Sequence, residues 1–433
     1  LGIGDASGTM VIDSNSVSVA GAGSNAIHAE NGSGAVTIRS GTVASAGNGA
    51  AAIFASTTSG AIAITSPNAS HSGTDYLGDA TNDAIAAISD TGAITIDSGT
   101  TSVAGLYASA IYARGASVSV TSDHIVSDAD YAGNISVTAT GEGGVVTVDS
   151  GIIEMTGIGG TGIDAISNGG KAVVRSATIT AESDEAYGIF ALGEMGVEVT
   201  AGAINVGREA IIVRAAQGDA VLTTTGDIVS RTLYGISIRE AGTAAVTVQE
   251  GSSVTGGQIG IFAGGGTLDL TNNGTIRGNG TLDNLDEPPS AGVTLAMGDN
   301  RIVNNGTISG AGFGISTAYF YNPETDALEP RATGTAITNN GTIQGDANDA
   351  IRLIGGGTIA NSGTIAGLAG ELTDGISMFG LNGQDRTGQN SIGSVANNAG
   401  GTISGVRFGV ILSGGGSVPN AGTIAGGGAA IRI

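Results

Sequence analysis

The sequence predicts an all-β fold, a single-stranded parallel β-helix of about 16 turns with three strands per turn. Three observations predict it. A small residue followed by Ile or Val recurs at a mean period of about 27 residues. Each period holds three short runs in which apolar and polar residues alternate. Gly, Asn, Asp and Ser fill the gaps between runs, and 78 of the 433 residues are Gly.

The anchors are Ile27, Ile53, Ile85, Ile111, Ile135, Ile163, Ile189, Ile211, Ile236, Ile261, Val293, Ile315, Ile351, Ile376, Val410 and Ile431. Most intervals lie between 21 and 28 residues, and four stretch to between 32 and 36. In the first full period, run A is Ala26-Ile27-His28-Ala29, run B is Gly34-Ala35-Val36-Thr37-Ile38 and run C is Gly41-Thr42-Val43-Ala44. Alternation at period two puts one face of each run in a core and the other in water. The runs are too short for ordinary helices, and the residues between them have turn chemistry. One unit cannot bury its apolar face alone, whereas stacked copies can. Each run then pairs in parallel with its equivalent one turn away, about 4.8 Å along the stack. Right-handed winding is the rule for such connections. Residues 1–433 read as one continuous β-helix. Extruded loops are expected near 70–81, 279–290, 317–334 and 380–390, where the intervals lengthen.

The corner between B and C changes style along the chain. Upstream it reads Asp97-Ser98-Gly99 and Asp149-Ser150-Gly151. Downstream it reads Asn272-Asn273-Gly274-Thr275-Ile276, Asn304-Asn305-Gly306-Thr307-Ile308 and Asn339-Asn340-Gly341-Thr342-Ile343, with Asn420-Ala421-Gly422-Thr423-Ile424 near the end. Asn and Gly tolerate positive φ, and a column of Asn amides can hydrogen-bond from turn to turn. A structural ladder is therefore expected at Asn273, Asn305, Asn340 and Asn420.

Tandem Asn-Asn-Gly-Thr-Ile turns with Ala-Ile or Gly-Ile anchors resemble the passenger domains of bacterial autotransporters (type V secretion) and the related haemagglutinin-like adhesin exoproteins. The resemblance covers nearly the whole chain. It implies a β-helical rod on the bacterial cell surface, anchored at the outer membrane or released from it. It also implies a signal peptide and a C-terminal outer-membrane β-barrel in the full-length protein. The chain opens on Leu1 and stops in mid-pattern at Ile433, so a segment of something longer is expected.

Composition narrows the function classes. Fifteen Lys and Arg against 38 Asp and Glu give a net charge of −23, and Lys171 is the sole lysine. Nucleic-acid binding needs a basic surface and is not expected. With no Cys there is no disulfide framework. At 40% hydrophobic the chain is not a disordered acidic tail. The Gly residues lack the three-residue period of collagen.

Extruded loops are the natural functional places on a repetitive scaffold. The loop at 317–334 carries the only aromatic cluster, Tyr319-Phe320-Tyr321, followed by Glu324, Asp326 and Glu329. Tyr319, Phe320, Tyr321, Asp326 and Glu329 are the candidate binding residues, suited to sugar rings or a protein patch. The plainer reading is that Phe320 covers the core where the loop leaves. No catalytic residues are assigned. Asp97 and Asp149 sit two turns apart with Thr121 between them, and Asp123, Asp128 and Asp130 near His124 read as a solvated acidic turn. The three histidines, His28, His71 and His124, lie on different turns, and His28 reads as a solvated outward residue. No cofactor is expected. Asp283, Asp286 and Glu287 are the candidates for weak Ca²⁺ binding, and Gly159-Gly160-Thr161-Gly162-Ile163-Asp164 matches a calcium nonapeptide pattern only once.

The leading expectation is a non-enzymatic extracellular rod that acts as cell-surface adhesin or display stalk. Its partner would be a host or neighbouring cell surface, through glycan or protein. The alternatives are a carbohydrate-active lyase or hydrolase on the same scaffold, and a self-associating filament built on open strand edges.

Overall fold

The computed structural model describes residues 7–73, 82–280, 290–322, 327–332, 334–379 and 392–433, with backbone alone at 319–322 and 327–332. The fold is an all-β parallel β-solenoid, and no described residue is helical. The chain divides into two units, Leu1–Gly218 and Asp219–Ile433.

In the first unit the A strands run from Ile27–Asn31 through Ile53–Thr57, Ile85–Ser89, Ile111–Gly115, Gly133–Ala139, Thr161–Ser167 and Tyr187–Gly193 to Ile211–Ala215. Each pairs in parallel with the next, anchor on anchor: Ile27 with Ile53, Ile53 with Ile85, and so on to Ile189 with Ile211. All eight anchors are buried. The residue two places on is small or β-branched, as in Ala29, Ala55, Ala87 and Val137, and is also buried. This leaves room inside for Ile38, Ile64 and Ile96 from the opposite wall.

Runs B and C are not separate strands here. They form single strands such as Val36–Ser45, Ile62–His71 and Ile94–Leu106. Alternation slips by one residue at the corner: Val36, Ile38 and Ser40 point inward, Gly41 and Thr42 both lie outside, and Val43 and Ser45 point inward again. One glycine of slack bends the strand without breaking the ladder, so two strands per turn replace the expected three.

In the second unit the A strands are Tyr234–Glu240, Ile259–Ala263, Ala291–Leu295, Phe313–Thr317, Ile351–Ile354, Ile376–Phe379, Phe408–Leu412 and Ala429–Arg432. Their anchors stack in parallel from Ile236 to Ile431. B and C now separate, as in Thr267–Asn272 and Thr275–Gly278 or Arg301–Asn304 and Thr307–Gly310. The Asn-Gly pair puts two residues outside the ladder, which ends one strand and starts the next. Three strands per turn hold in this unit.

The glycines of these corners serve close approach rather than unusual torsion. Gly274, Gly306 and Gly341 do not have positive φ, against the expectation from sequence. A Cβ on Gly306 would instead lie 2.0 Å from the Gly274 carbonyl oxygen, and one on Gly341 2.0 Å from that of Gly306. The stacking distance leaves no space for a side chain there.

Candidate functional site

The corners carry the polar chemistry of the stack. An inward column starts as serine, with Ser14 facing Ser40 and Ser66, Ser98, Ser122, Ser150 and Ser176 in successive register. Hydroxyls pair where geometry permits, Ser14 with Ser40 at 2.7 Å and Ser150 donating to Ser176 at 3.0 Å. In the second unit Thr224 and Val248 precede an inward asparagine column that begins at Asn272. Asn272 Nδ2 donates to Asn304 Oδ1 at 2.7 Å, and the relay continues through Asn339, Asn361 and Asn397 to Asn420 at 2.8 Å each. The second hydrogen of each amide reaches a backbone carbonyl, such as Thr342 O from Asn304 at 3.0 Å. Asn272, Asn304, Asn339, Asn361 and Asn397 are fully buried.

Asn273, Asn305 and Asn340 form a second, solvent-side ladder. It runs in the opposite sense: Asn305 donates to Asn273 at 2.8 Å and Asn340 to Asn305 at 2.9 Å. Asn420 belongs to the inward column. The outward threonines Thr275, Thr307, Thr342, Thr364, Thr402 and Thr423 stand in register beside these corners.

At the corner between C and A, a side-chain oxygen two residues before the anchor accepts the backbone N–H of the corresponding residue one turn on. Asn25 Oδ1 accepts from Ala51 N at 2.6 Å, Asp83 from Ser109 at 2.9 Å, Asp349 from Asp374 at 2.7 Å and Asp374 from Phe408 at 3.1 Å. This bridge was not anticipated from sequence. Burial pushes the Asp83 carboxyl up to about 7, against the Ser109 N–H that pulls it down. Asp349 is likewise raised by burial. Asp374 is fully buried and receives Arg407 in a two-pronged ion pair, Nε at 2.9 Å and Nη2 at 2.5 Å, with Ser377 Oγ at 3.0 Å. These carboxylates tie turns together.

The extruded segments are described in part. The loops near 70–81, 279–290 and 380–390 lie for the most part outside the described residues, as do Asp283, Asp286, Glu287, Glu324 and Asp326. The segment at 317–334 contains a β-hairpin. Tyr319–Asn322 pairs antiparallel with Ala327–Ala332, which sets Tyr319 opposite Pro330, Phe320 opposite Glu329 and Tyr321 opposite Leu328. Arg331 and Ala332 also pair in parallel with Met297 and Gly298, so the hairpin is anchored on the preceding turn. Thr317 and Ala318 belong to the stack: Ala318 N donates to Leu295 O at 2.8 Å, and Thr317 Oγ1 accepts from Ile354 N at 3.3 Å.

Asp97, Thr121 and Asp149 occupy successive register positions, with threonine between the two acids. His124 Nε2 lies 3.3 Å from Glu154. His28 is more than a solvated residue: Asn25 Nδ2 meets its Nδ1 at 2.7 Å, Glu30 its Nε2 at 3.1 Å, and its ring lies 5.0 Å from that of Phe54. His71 is buried, which lowers its pKa, and its Nε2 accepts from Gly73 N at 3.2 Å. Gly159 and Gly160 adopt positive φ as corner residues, while Asp164 stands in an A strand between Ser136 and Phe190. Burial raises Asp164 to about 6. Among the described residues no three His, Asp or Glu side chains are placed to hold a metal ion, and no helix is long and apolar enough to cross a membrane.

A second aromatic pair escaped the sequence reading. Tyr107 and Tyr131 each stand four residues before an anchor, on adjacent turns, with ring centroids 6.0 Å apart and planes inclined by 33°. Their exposures are 55% and 50%. Both adopt positive φ, 55° and 54°, the only described non-glycine residues to do so.

Compared with protein-family models, curated proteins and solved structures, the chain matches none. Its class, a parallel β-solenoid scaffold, rests on its own geometry.

Proposed function

We propose that this chain is a non-enzymatic extracellular display rod, the passenger of an autotransporter-like protein, acting as a cell-surface adhesin. The observation that carries the reading is the contrast between stack and insertion. Turn after turn is fixed by in-register anchors and amide relays, and the hairpin at Tyr319–Ala332 leaves this frame with its base pinned to the preceding turn. Such an arrangement presents a segment on a rigid support, which is what adhesion asks of a scaffold. The acidic, nearly lysine-free composition keeps the chain soluble and disfavours anionic polymers as ligands. The raised carboxyls of Asp83 and Asp349 are buried in corner bridges, which speaks for structure over acid–base chemistry.

The test is to delete residues 319–333 and join Ala318 to Gly334, which spares the bonds of Thr317 and Ala318. Attachment of chain-coated beads to cells should fall while the thermal midpoint stays within a few degrees. Unchanged attachment would locate the contact elsewhere and defeat the reading of the hairpin. Turnover of any member of a glycan panel by the purified chain would defeat the non-enzymatic reading.

A further inference from the structure

We propose that Tyr107 and Tyr131 form a stacking platform for the apolar face of a neutral saccharide. The proposal goes beyond the display reading and does not depend on the hairpin.

The argument begins with the backbone. The fourth residue before the anchor turns the chain through the left-handed region on several turns. Gly23, Gly49 and Gly159 hold this place with φ of 66°, 66° and 69°. Tyr107 and Tyr131 hold it on the turns between. Glycine enters that region freely, and a bulky residue enters it at a cost. Stability alone therefore selects glycine, and the chain carries tyrosine at two neighbouring places.

The rings do not repay that cost by filling a core, because both are half exposed. On adjacent turns their centroids lie 6.0 Å apart, with the planes inclined by 33°. The next turn makes room for the ring: a Cβ on Gly159 would come 2.9 Å from Cδ1 and 3.2 Å from Cε1 of Tyr131, so a side chain there would crowd the ring edge. Leu106 and Ile158, also exposed, extend the surface at either end. Two rings and two aliphatic side chains fall well short of the roughly 800 Å² that a stable protein partner covers on each side. Two rings spaced by about one strand repeat suit consecutive sugar rings, whose C–H faces pack on aromatic π-faces.

Polar groups at the edge fit hydroxyls. Asp130 Oδ1 accepts from Ile158 N at 2.7 Å and Asp128 Oδ1 from Thr156 Oγ1 at 3.2 Å, and each carboxylate has a second oxygen able to accept from a hydroxyl. These carboxylates, with Glu154 nearby on the same sheet, repel sulfated, phosphorylated or uronate polymers. The class that remains is neutral and rich in hydroxyls.

The experiment uses the whole chain and a panel of neutral hexasaccharides of glucose, mannose and N-acetylglucosamine. Binding is followed by tyrosine difference absorbance and NMR titration, with a polyuronate and tetramethylammonium chloride as comparators. At least one neutral oligosaccharide should bind. Tyr107→Gly/Tyr131→Gly should weaken it by about tenfold or more, with a thermal midpoint equal to or above that of the parent. Tyr107→Phe/Tyr131→Phe should retain binding, and so should the hairpin-deleted chain, which separates this site from the hairpin. The proposal is overturned if no neutral oligosaccharide binds, if only the polyuronate or the ammonium ion binds, or if the glycine variant binds as tightly as the parent. A lower midpoint in the glycine variant would make the rings structural covers and would overturn it too.

Discussion

Replacing Asn304 by Ala tests whether the inward amide relay holds the second unit together. Asn304 is fully buried and makes four contacts: it accepts from Asn272 at 2.7 Å and donates to Asn339 Oδ1 at 2.8 Å, Thr342 O at 3.0 Å and Gly306 O at 3.2 Å. Alanine leaves Asn339 Oδ1 without the Asn304 donor and takes the side-chain donor from Thr342 O. Asn272 Nδ2 keeps Thr307 O at 3.0 Å. A buried group left unsatisfied costs about 1–3 kcal/mol and each lost bond about 1 kcal/mol, so the loss should be about 3 kcal/mol. Asn305→Ala is the matched control. It removes two amide bonds, to Asn273 and Asn340, on the solvent side, where water replaces them and the change should stay within about 0.5 kcal/mol. The loss is local to one corner, so the assay is native-state amide hydrogen exchange on peptides covering 300–310 and 335–345. Asn304→Ala should speed exchange there roughly 100-fold, and Asn305→Ala by about twofold. Equal effects of the two variants would refute the assignment of the inward column as the structural one.

Two further outcomes follow from the core and from titration. Ile315→Ala, at a fully buried anchor stacked between Val293 and Ile351, should cost about 2–5 kcal/mol in local exchange. Asp83 keeps its proton up to about pH 7 when folded, whereas an unfolded aspartate releases it near 4. Its contribution to stability is therefore complete below about pH 4 and is lost as pH rises to about 7. Asp83→Asn preserves an oxygen for Ser109 N, as Asn25 does for Ala51 N, and carries no charge. The variant should match the parent near pH 4 and exceed it at pH 8 by up to about 4 kcal/mol in exchange-derived stability; parallel pH profiles would refute this.

Periodicity made the stack legible. The anchor register needed only the small-Ile spacing, because a shift of one residue would turn every apolar side chain outward. The corners were legible only as corners. Asn272 and Asn273 are chemically identical, and which one faces inward depends on the strand parity reaching the corner, a property of the fold. Ser98 and Ser150 gave no sign that one glycine after them would bend a strand without ending it. The Asp83 and Asp374 bridges did leave a trace, an acid or amide two residues before an anchor, but a lone Asp in a turn reads as solvated. Tyr107 and Tyr131 could have been found by aligning the turns, since Gly23, Gly49 and Gly159 occupy their place. The hairpin at Tyr319–Ala332 was readable as an excursion and not as a paired element, because Tyr-Phe-Tyr and Leu-Glu-Pro-Arg give no clear alternation.

The Asn-Asn-Gly corners have a bearing on how the molecule ages. Asparagine followed by glycine is the dipeptide most open to deamidation, because the glycine nitrogen can swing onto the side-chain amide carbon and close a succinimide. Here that nitrogen is occupied: Gly306 N donates to Asn272 O and Gly341 N to Asn304 O, both at 3.1 Å. The amides of Asn305 and Asn340 are held in their own ladder, pointing along the stack. Ring closure must first break two bonds at once, on a corner where a neighbouring backbone stands too close to allow the glycine to rotate. The folded stack thus shields the bonds that the same sequence, unfolded, would lose first, and chemical damage at a corner becomes a record of turns that have come apart.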